Sequence, residues 1–484
     1  MQNEHPTGHA LTLILISASL ATFMSSLDGT IVNIALPTIS EVFNLSTSSV
    51  AWVSTIYLLV MAGCLLIIGK AADVIGFKKI FLTGFVLFTL GSFTCGFLPE
   101  LTGSFETLLA SRVLQALGGA MMTVIAPAML SYYLPDDRRA KGLSLVVLFS
   151  AVGMALGPTL GGYLTEYISW HWIFYINVPI GIIAIILGII VLPKSVATAS
   201  SFKGFDIIGA ALAFIGLAAL LFAFSEGLAL GWTSVPILTS LILAVLGLGC
   251  FAWRELRHPD PLLDLRLFKS RSFLTLNILF ALLFFTFAGA NYLLPFYLEH
   301  VHNYSSSFAG LIITALSVGM MIAGIVSGQI YLKLIGKIRY LVMTGAALIC
   351  IGFLLLTHLT PVTGLGIIVS ALAIIGLGLG LTTTPLTTLI MGAVPSSRQG
   401  MASSLIGLER FAPMTIGVAV YNIIFLYGIL TVAAKAGITE QPPSSISAYI
   451  LSAGFDLAFI VSAVLAFILV ILCIFIRETK AAEE

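Results

Sequence analysis

Four ionisable residues interrupt long apolar stretches of the sequence, namely Asp28, Arg112, Glu409 and Arg410. A charged side chain inside a membrane span is costly, so a residue of this kind is a candidate for function by default. A carboxylate in such a setting can bind and release a proton, and an arginine beside it balances the charge of the deprotonated form. These residue types therefore indicate proton transfer inside a membrane, with a purely structural ion pair as the alternative for Asp28 and Arg112.

The direction of each span decides which of these side chains can meet. Asp28 lies past the middle of the first predicted span, which runs outward, and Arg112 lies in the outer third of the fourth, which runs inward. Opposite directions bring the two residues to a similar depth, so contact is possible. Glu409 and Arg410 are neighbours near the middle of the thirteenth span, and adjacent residues point about 100° apart on a helix. We expect Glu409 to face the interior as a second protonatable or cation-recognising acid, with a structural pair between helices as the alternative.

The elements that carry these residues are membrane helices. Of the 484 residues, 59% are hydrophobic and 9% are charged, whereas roughly 25% of a soluble domain is charged. A helix of about 20 apolar residues crosses a bilayer. The apolar runs predict an all-α membrane protein with fourteen spans, near 11–37, 51–69, 80–98, 107–133, 143–165, 172–192, 206–226, 235–253, 273–298, 307–332, 340–358, 364–392, 400–427 and 450–476.

The placement of basic residues predicts the orientation of these spans, because cytoplasmic loops carry an excess of Lys and Arg. Nineteen of the 22 basic residues fall in alternate connections or after the last span, whereas Lys435 lies in an opposite loop and Arg112 and Arg410 lie within spans. The pattern predicts an even number of spans and places both termini in the cytoplasm. It also predicts a multi-pass protein of the cell membrane, whether inner or plasma membrane.

Two parts of the chain resemble each other at a nearly constant offset. Residues 76–91 align with residues 336–352, and residues 134–144 align with residues 394–404. Internal repeats of this kind are typical of transporters that have two similar halves. We expect a 6+2+6 arrangement, with an N-terminal six-helix half at 1–193, two inserted helices and a cytoplasmic linker at 194–270, and a C-terminal six-helix half at 271–484.

Composition and motifs argue against several classes of function. The net charge of +1 offers no strongly basic face for nucleic acid. No loop is long enough for a soluble catalytic domain, and the sequence has no P-loop, HExxH or GxSxG motif, so we expect neither ATP hydrolysis nor another enzyme activity. Energy is then expected to come from an ion gradient or from the solute itself.

Five stretches in the first 180 residues carry a resemblance to a known family. They are LDGTIVNIALP, GKAADVIGFKK, RVLQALGGA, GMALGPTLGG and WHWIFYINVPIG, in this order. Together they resemble the fourteen-span drug:proton antiporters of the major facilitator superfamily, the EmrB- and QacA-like multidrug efflux transporters. The resemblance implies the major facilitator fold, a proton or substrate role for Asp28, and a role in proton coupling for Arg112.

The fourth stretch has a plain basis in helix packing. Gly153, Gly157 and Gly161 are spaced by four on one face of the fifth predicted span, with Pro158 and Gly162 beside them. Small residues let two helices approach closely, and Pro bends the helix axis. Generic packing is one interpretation. The resemblance implies instead the antiporter motif, in which this face seals the junction between the two halves.

The second stretch connects the second and third spans. Gly69, Asp73, Gly76, Lys78 and Lys79 follow the cytoplasmic gating motif of the superfamily. Gly permits a tight turn, and Asp73 can cap a helix of the opposite half or pair with a base. The usual Arg after the Asp is missing here, so we expect a weaker latch. An ordinary charged turn is the alternative.

The ninth span is rich in aromatic residues, most of which we expect to pack between helices or against lipid. Those that face the interior would suit a flat apolar or cationic solute through stacking and cation–π contact. Asp456, near the outer end of the last span, is expected to reach interfacial water. The predicted substrate cavity is formed by Asp28, Gln115, Phe287, Asn291, Tyr292 and Glu409.

These features predict a secondary transporter that exports lipophilic or cationic drug-like compounds in exchange for protons, with two halves that rock about a central site. Asp28, Arg112 and Glu409 are expected to couple proton movement to transport. Export of a lipid or of one specific metabolite by the same mechanism is the alternative. The expected partners are membrane lipid, protons and a small lipophilic solute, for a monomer that uses no cofactor, metal or nucleic acid.

Overall fold

The structure is a computed structural model, and it describes residues 8–133, 136–192, 206–258, 261–331, 337–357, 360–394, 399–435 and 448–476. At a number of positions within helices, Asp73 and the start of α6 at 136–144 among them, only the backbone is described.

Almost all of the described residues belong to α-helices. The first part of the chain forms α1 (Gly8–Val42), α2 (Thr47–Val50), α3 (Trp52–Ile75), α4 (Phe77–Thr102), α5 (Phe105–Tyr133), α6 (Asp136–Tyr167), α7 (Trp172–Tyr175) and α8 (Asn177–Val191). Two helices follow, α9 (Ile207–Leu230) and α10 (Val235–Glu255), and then a 3₁₀ helix (Leu265–Lys269). The last part forms α11 (Arg271–Phe296), a π-helical turn (Tyr297–Val301), α12 (Ser306–Tyr331), α13 (Ile338–Leu355), α14 (Leu365–Gly392), α15 (Gln399–Lys435) and α16 (Ala448–Cys473).

The long helices have the dimensions of membrane spans. Thirteen segments in the described part of the chain are long and apolar enough to cross a bilayer, and they correspond to every predicted span except the fifth. The fifth span belongs to α6, which has 32 residues and so exceeds the length that a crossing needs. Outward-facing side chains are apolar, since Ile190 and Val245 are 74% and 72% exposed. The predicted all-α membrane fold is confirmed, and the cytoplasmic location of the termini stays a prediction.

Helix packing follows the same scheme twice. We call α1 to α8 the N half and α11 to α16 the C half. In the N half α1 packs on α6 and α4 on α5, and in the C half α11 packs on α15 and α13 on α14. The halves meet along two equivalent seams, α3 with α15 and α6 with α12. The exact domain boundaries at 193 and 270 stay a prediction.

The two inserted helices form a hairpin beside one of these seams. α9 and α10 pack on each other, and α9 also contacts α3 of the N half and α15 of the C half. The indole Nε1 of Trp52 in α3 donates a hydrogen bond to Glu226 Oε1 in α9, with 2.8 Å between the two atoms. The hairpin is therefore attached to both halves.

Close contact between α4 and α5 sets the position of the polar residues in the N half. A methyl group on Gly91 of α4 would lie 2.5 Å from the backbone N of Gln115, and one on Gly118 of α5 would meet the backbone of Phe88. Larger side chains at these positions would push the two helices apart. The glycines thus place Gln115, and Arg112 one turn earlier, in the interior of the N half.

Candidate functional site

A narrow cavity with a volume of about 20 Å³ lies between the two halves. A space of this size holds about one water molecule, so its walls must move apart to admit a larger solute. The cavity wall contains a charged cluster from the N half and mostly apolar side chains from the C half. Its lining consists of Asp28, Gly29, Val32, Asn33, Ser54, Tyr57, Leu58 and Arg112 from the N half, and of Ala288, Asn291, Tyr292, Met414 and Val418 from the C half.

Asp28 is the centre of the charged cluster. Its Oδ2 lies 2.8 Å from Arg112 Nη1, and its Oδ1 accepts a hydrogen bond from Gln115 Nε2 at 2.7 Å. Asn177 Nδ2 donates a longer bond to the same Oδ1 at 3.4 Å. Asp28 and Gln115 have no exposed surface, and Arg112 is 1% exposed. A proton or a cationic group that reaches Asp28 must therefore compete with partners that are already in place.

Arg112 is held by neutral groups as well as by the carboxylate. Its Nη1 also donates to Gln115 Oε1 at 2.6 Å, and its Nε donates to the carbonyl oxygen of Val53 at 3.1 Å. The guanidinium carbon lies 4.1 Å from the centre of the Tyr57 ring, the geometry of a cation–π contact. These contacts would hold the arginine in place even without the charge of Asp28. Protonation of Asp28 would then change the net charge of the cluster from zero to +1.

The C half closes the cavity with two of the residues predicted from the ninth span. Asn291 and Tyr292 both line it. The Tyr292 hydroxyl donates a hydrogen bond to the carbonyl oxygen of Thr47 at 2.5 Å, and this bond joins the two halves. Most other aromatic residues of α11 pack between helices, as predicted, and Phe285 lies against Tyr421 with 5.9 Å between ring centres.

Three residues of the predicted cavity lie elsewhere. Gln115 is behind the wall, because its amide is used by Asp28, Arg112 and Ser92. Phe287 is 5% exposed and packs in the interior of the helix bundle, away from the cavity. Glu409 does not line the cavity either, although its Oε2 is buried and has no hydrogen-bond partner among the described residues. Asp456, on α16, is partly buried.

The glycine motif of α6 makes two different contacts, and this corrects the prediction that its glycine face seals the junction between the halves. Gly153, Gly157 and Gly161 pack on α1 of the same half, and a methyl group on Gly153 would lie 2.6 Å from the carbonyl oxygen of Phe23. The junction is formed by the flanking residues. Gly162 lies against Ser306, and Pro158 against Gly310, both in α12 of the C half. The motif therefore fixes α1, which carries Asp28, and joins the halves with its other face.

The predicted gating motif is described in part. Gly69 approaches the C half, since a methyl group there would lie 3.1 Å from Ser404 Oγ. Gly76 joins α3 to α4 with a φ of 93°, which explains the need for glycine at this turn. Lys78 Nζ donates to the carbonyl oxygens of Ile189 and Leu192 at the end of α8, and Lys79 is exposed. The Asp73 side chain lies outside the described residues, so the predicted latch stays a prediction.

Comparison with known proteins decides the family. The sequence profile described as Major Facilitator Superfamily matches residues 18–418. The chain belongs to the major facilitator superfamily. It is 33% identical to the riboflavin transporter RibZ of Clostridioides difficile, over 96% of this chain and 98% of that protein. It is 32% identical to the multidrug resistance protein Stp of Mycobacterium tuberculosis, over 91% and 80% of the two chains, and 31% identical to the multidrug export protein EmrB of Escherichia coli, over 87% and 81%.

Solved structures agree with this assignment at the level of the fold. The crystal structure of the peptide transporter POT in complex with sulfate superposes with a TM-score of 0.69 at 16% identity, and the match covers 98% of this chain and 96% of that one. A major facilitator protein with membrane helices of this kind is a multi-pass transporter of the plasma membrane and not an enzyme. The multidrug relatives confirm the resemblance to the efflux transporters of the superfamily.

Several polar residues of the site were not predicted from the sequence. Ser54 Oγ donates to Asn33 Oδ1 at 2.9 Å on the cavity wall, and Asn177 and Tyr57 complete the surroundings of Asp28 and Arg112. All of these are uncharged residues within apolar runs. Their polar side chains within otherwise apolar spans are the sequence signal that marks them.

Proposed function

We propose that this transporter exports lipophilic or cationic drug-like compounds in exchange for protons. The observation that carries the proposal is the Asp28 cluster, an enclosed carboxylate and arginine in the wall of a cavity that both halves share. A carboxylate at such a place can hold either a proton or a cationic solute, which is the requirement for exchange. The two equivalent seams between the halves suit alternate opening on the two sides of the membrane.

The energy of the exchange would come from the proton gradient. Moving one charge across the membrane is worth about 2.3 kcal/mol per 100 mV. In the proposed cycle a proton binds Asp28 and weakens its bond to Arg112, and release of the proton restores the pair. The names of the relatives Stp and EmrB support drug-like compounds as the solutes. Direct roles for Glu409 and Asp73, and action as a monomer, belong to the same proposal.

The test is ethidium transport by everted membrane vesicles with an imposed pH gradient. We expect the wild-type protein to accumulate ethidium only while the gradient is present. Asp28→Asn should reduce the rate to that seen without a gradient, because the amide cannot take up and release a proton. Rates are compared per amount of folded protein, measured by size-exclusion chromatography. Asp206→Asn, the same substitution in an ion pair outside the cavity, is the matched control and should transport like wild type. Gradient-driven accumulation by Asp28→Asn at the wild-type rate would contradict the proposal.

A second candidate is transport of one flat polar metabolite. It is favoured by the riboflavin transporter RibZ, which matches nearly the whole chain. The same vesicles decide between the two. Gradient-driven uptake of riboflavin without uptake of ethidium or other dyes would support the second candidate. Uptake of several unrelated dyes without competition from riboflavin would support the first.

A further inference from the structure

Arg410 extends the cavity wall toward the N-terminal end of α15. Residues 410, 414 and 418 are four apart and therefore share one face of the helix, and Met414 and Val418 line the cavity. Four residues correspond to about 6 Å along the helix axis. On α11, Phe284 is likewise four residues before Ala288, which also lines the cavity. Arg410 and Phe284 thus lie one helical turn beyond the cavity, on the same faces that form its wall.

The two residues are in contact at a place where both halves meet. The guanidinium carbon of Arg410 lies 5.6 Å from the centre of the Phe284 ring and 5.4 Å from that of Phe411. Its Nη2 lies 3.7 Å from Met154 Sδ, which belongs to α6 of the N half. Aromatic rings and a thioether attract a cation only weakly in comparison with a carboxylate. The surroundings of Arg410 are thus suited to a flat apolar group beside a positive charge.

Arg410 differs from Arg112 in having no counter-ion within the described part of the chain. Arg112 is paired with Asp28, whereas no ion pair of Arg410 is found among the described residues, and its Nε is buried without a hydrogen-bond partner. Glu409 is the next residue but points about 100° away on the helix. A guanidinium within a membrane span is costly unless an anion approaches it. An unpaired one on a cavity-facing helix face is therefore available to a bound anion.

We propose that Arg410 binds the anionic group of a flat aromatic solute, with the ring of the solute against Phe284. This inference rests on the proposed transport function and adds a second recognition group to it, for aromatic solutes that carry a carboxylate or a similar anion, with or without a cationic group at their other end. The cavity supplies the apolar contact through Met414 and Val418, and Arg410 supplies the charge. Asp28 does not supply this recognition, since a carboxylate repels an anion.

The test is binding of three fluorescent pyrene compounds to the purified full chain. Pyrenebutyrate, pyrenebutanol and pyrenebutyl-trimethylammonium share one aromatic group and differ in the charge of the other end. We expect wild-type protein to prefer pyrenebutyrate to pyrenebutanol by about tenfold to hundredfold, the usual effect of a hydrogen bond to a charged group. Arg410→Gln should abolish this preference and leave pyrenebutanol binding within about twofold of wild type.

Matched variants separate this role from a general loss of folding. Arg257→Gln removes an arginine that also lies over an aromatic ring, Trp253, at 4.5 Å but outside the cavity, and it should keep the preference. Arg410→Lys keeps the positive charge and should keep part of the preference for pyrenebutyrate. Equal binding of the acid and the alcohol by wild type, or an unchanged preference in Arg410→Gln, would overturn the inference. If the inference fails in this way but ethidium is still exchanged for protons, the proposed function stands. If pyrenebutyrate binding depends on Arg410 but no gradient-driven transport is found, the proposed function alone is overturned.

Discussion

Substitution of Asp28 by Asn should lower the free energy of unfolding by much more than the loss of one neutral hydrogen bond would. Asn has nearly the same shape and can still accept from Gln115, but it leaves Arg112 with no counter-ion at 1% exposure. Removing one member of a buried ion pair costs about 3–5 kcal/mol. Arg112 keeps its bonds to Gln115 and Val53 and its contact with the Tyr57 ring, and a desolvated cation–π contact is worth about 2 kcal/mol. We therefore expect a loss near the lower limit, about 3 kcal/mol.

A double-mutant cycle measures the pair itself. Arg112→Gln alone also destabilises, although Asp28 can then take up a proton. The double variant Asp28→Asn with Arg112→Gln replaces the ion pair by two amides, so its loss should be smaller than the sum of the single losses. We expect a coupling energy of at least about 2 kcal/mol, within the range of residues in direct contact.

The assay is equilibrium unfolding of the purified protein by SDS in mixed micelles, followed by tryptophan fluorescence. The control cycle uses Asp206→Asn and Arg254→Gln, a pair at 2.5 Å in which Arg254 is 30% exposed. Solvent screening should limit the coupling in this pair to about 1 kcal/mol. If the Asp28 cycle were additive within about 0.5 kcal/mol, or no larger than the control cycle, the two residues would not form a desolvated ion pair.

Two further predictions concern the contacts that hold the helices together. Tyr292→Phe removes a hydrogen bond between the halves, worth about 0.5–1.5 kcal/mol, so the state that is open on that side should gain about twofold to twelvefold in population. The labelling rate of a single cysteine placed in the cavity measures this population. Tyr421→Phe removes a hydrogen bond within the C half and is the control, and equal labelling rates in the two variants would refute the prediction. Gly157→Ala places a methyl group against Thr30 and should cost about 1–3 kcal/mol of stability. Gly249→Ala, where the added methyl meets open space, should change stability by less than about 0.5 kcal/mol, and similar unfolding curves for the two alanine variants would argue against close packing of α1 on α6.

The sequence predicts which segments form membrane helices, and how deep a residue lies in the membrane, better than it predicts how each helix is rotated about its axis. Apolar length predicts a span, and the opposite directions of two spans place Asp28 and Arg112 at one level. Which face of a helix points inward depends on how small residues let neighbouring helices approach, and this is a property of the packed bundle. For this reason the spacing of Gly153, Gly157 and Gly161 indicates a packing face, but it does not show that α1 is the helix packed against it. The same holds for α15, where the sequence favours Glu409 as the inward-facing residue and the spacing places Arg410 on the face of Met414, which lines the cavity.

The two arginines together suggest how one cavity can serve both proton exchange and solute recognition. Arg112 is neutralised by Asp28 within the N half, so a change of charge there requires a proton or a cationic group at Asp28. Arg410 belongs to the C half and has no ion-pair partner in the part of the chain that the structure describes, so a bound anion would neutralise it. A solute with both a cationic and an anionic end could then span the two halves, with only its cationic end in competition with the proton. If the halves move against each other as the proposed exchange requires, such a solute would be held at both ends only while the two seams allow it to reach Asp28 and Arg410 at once.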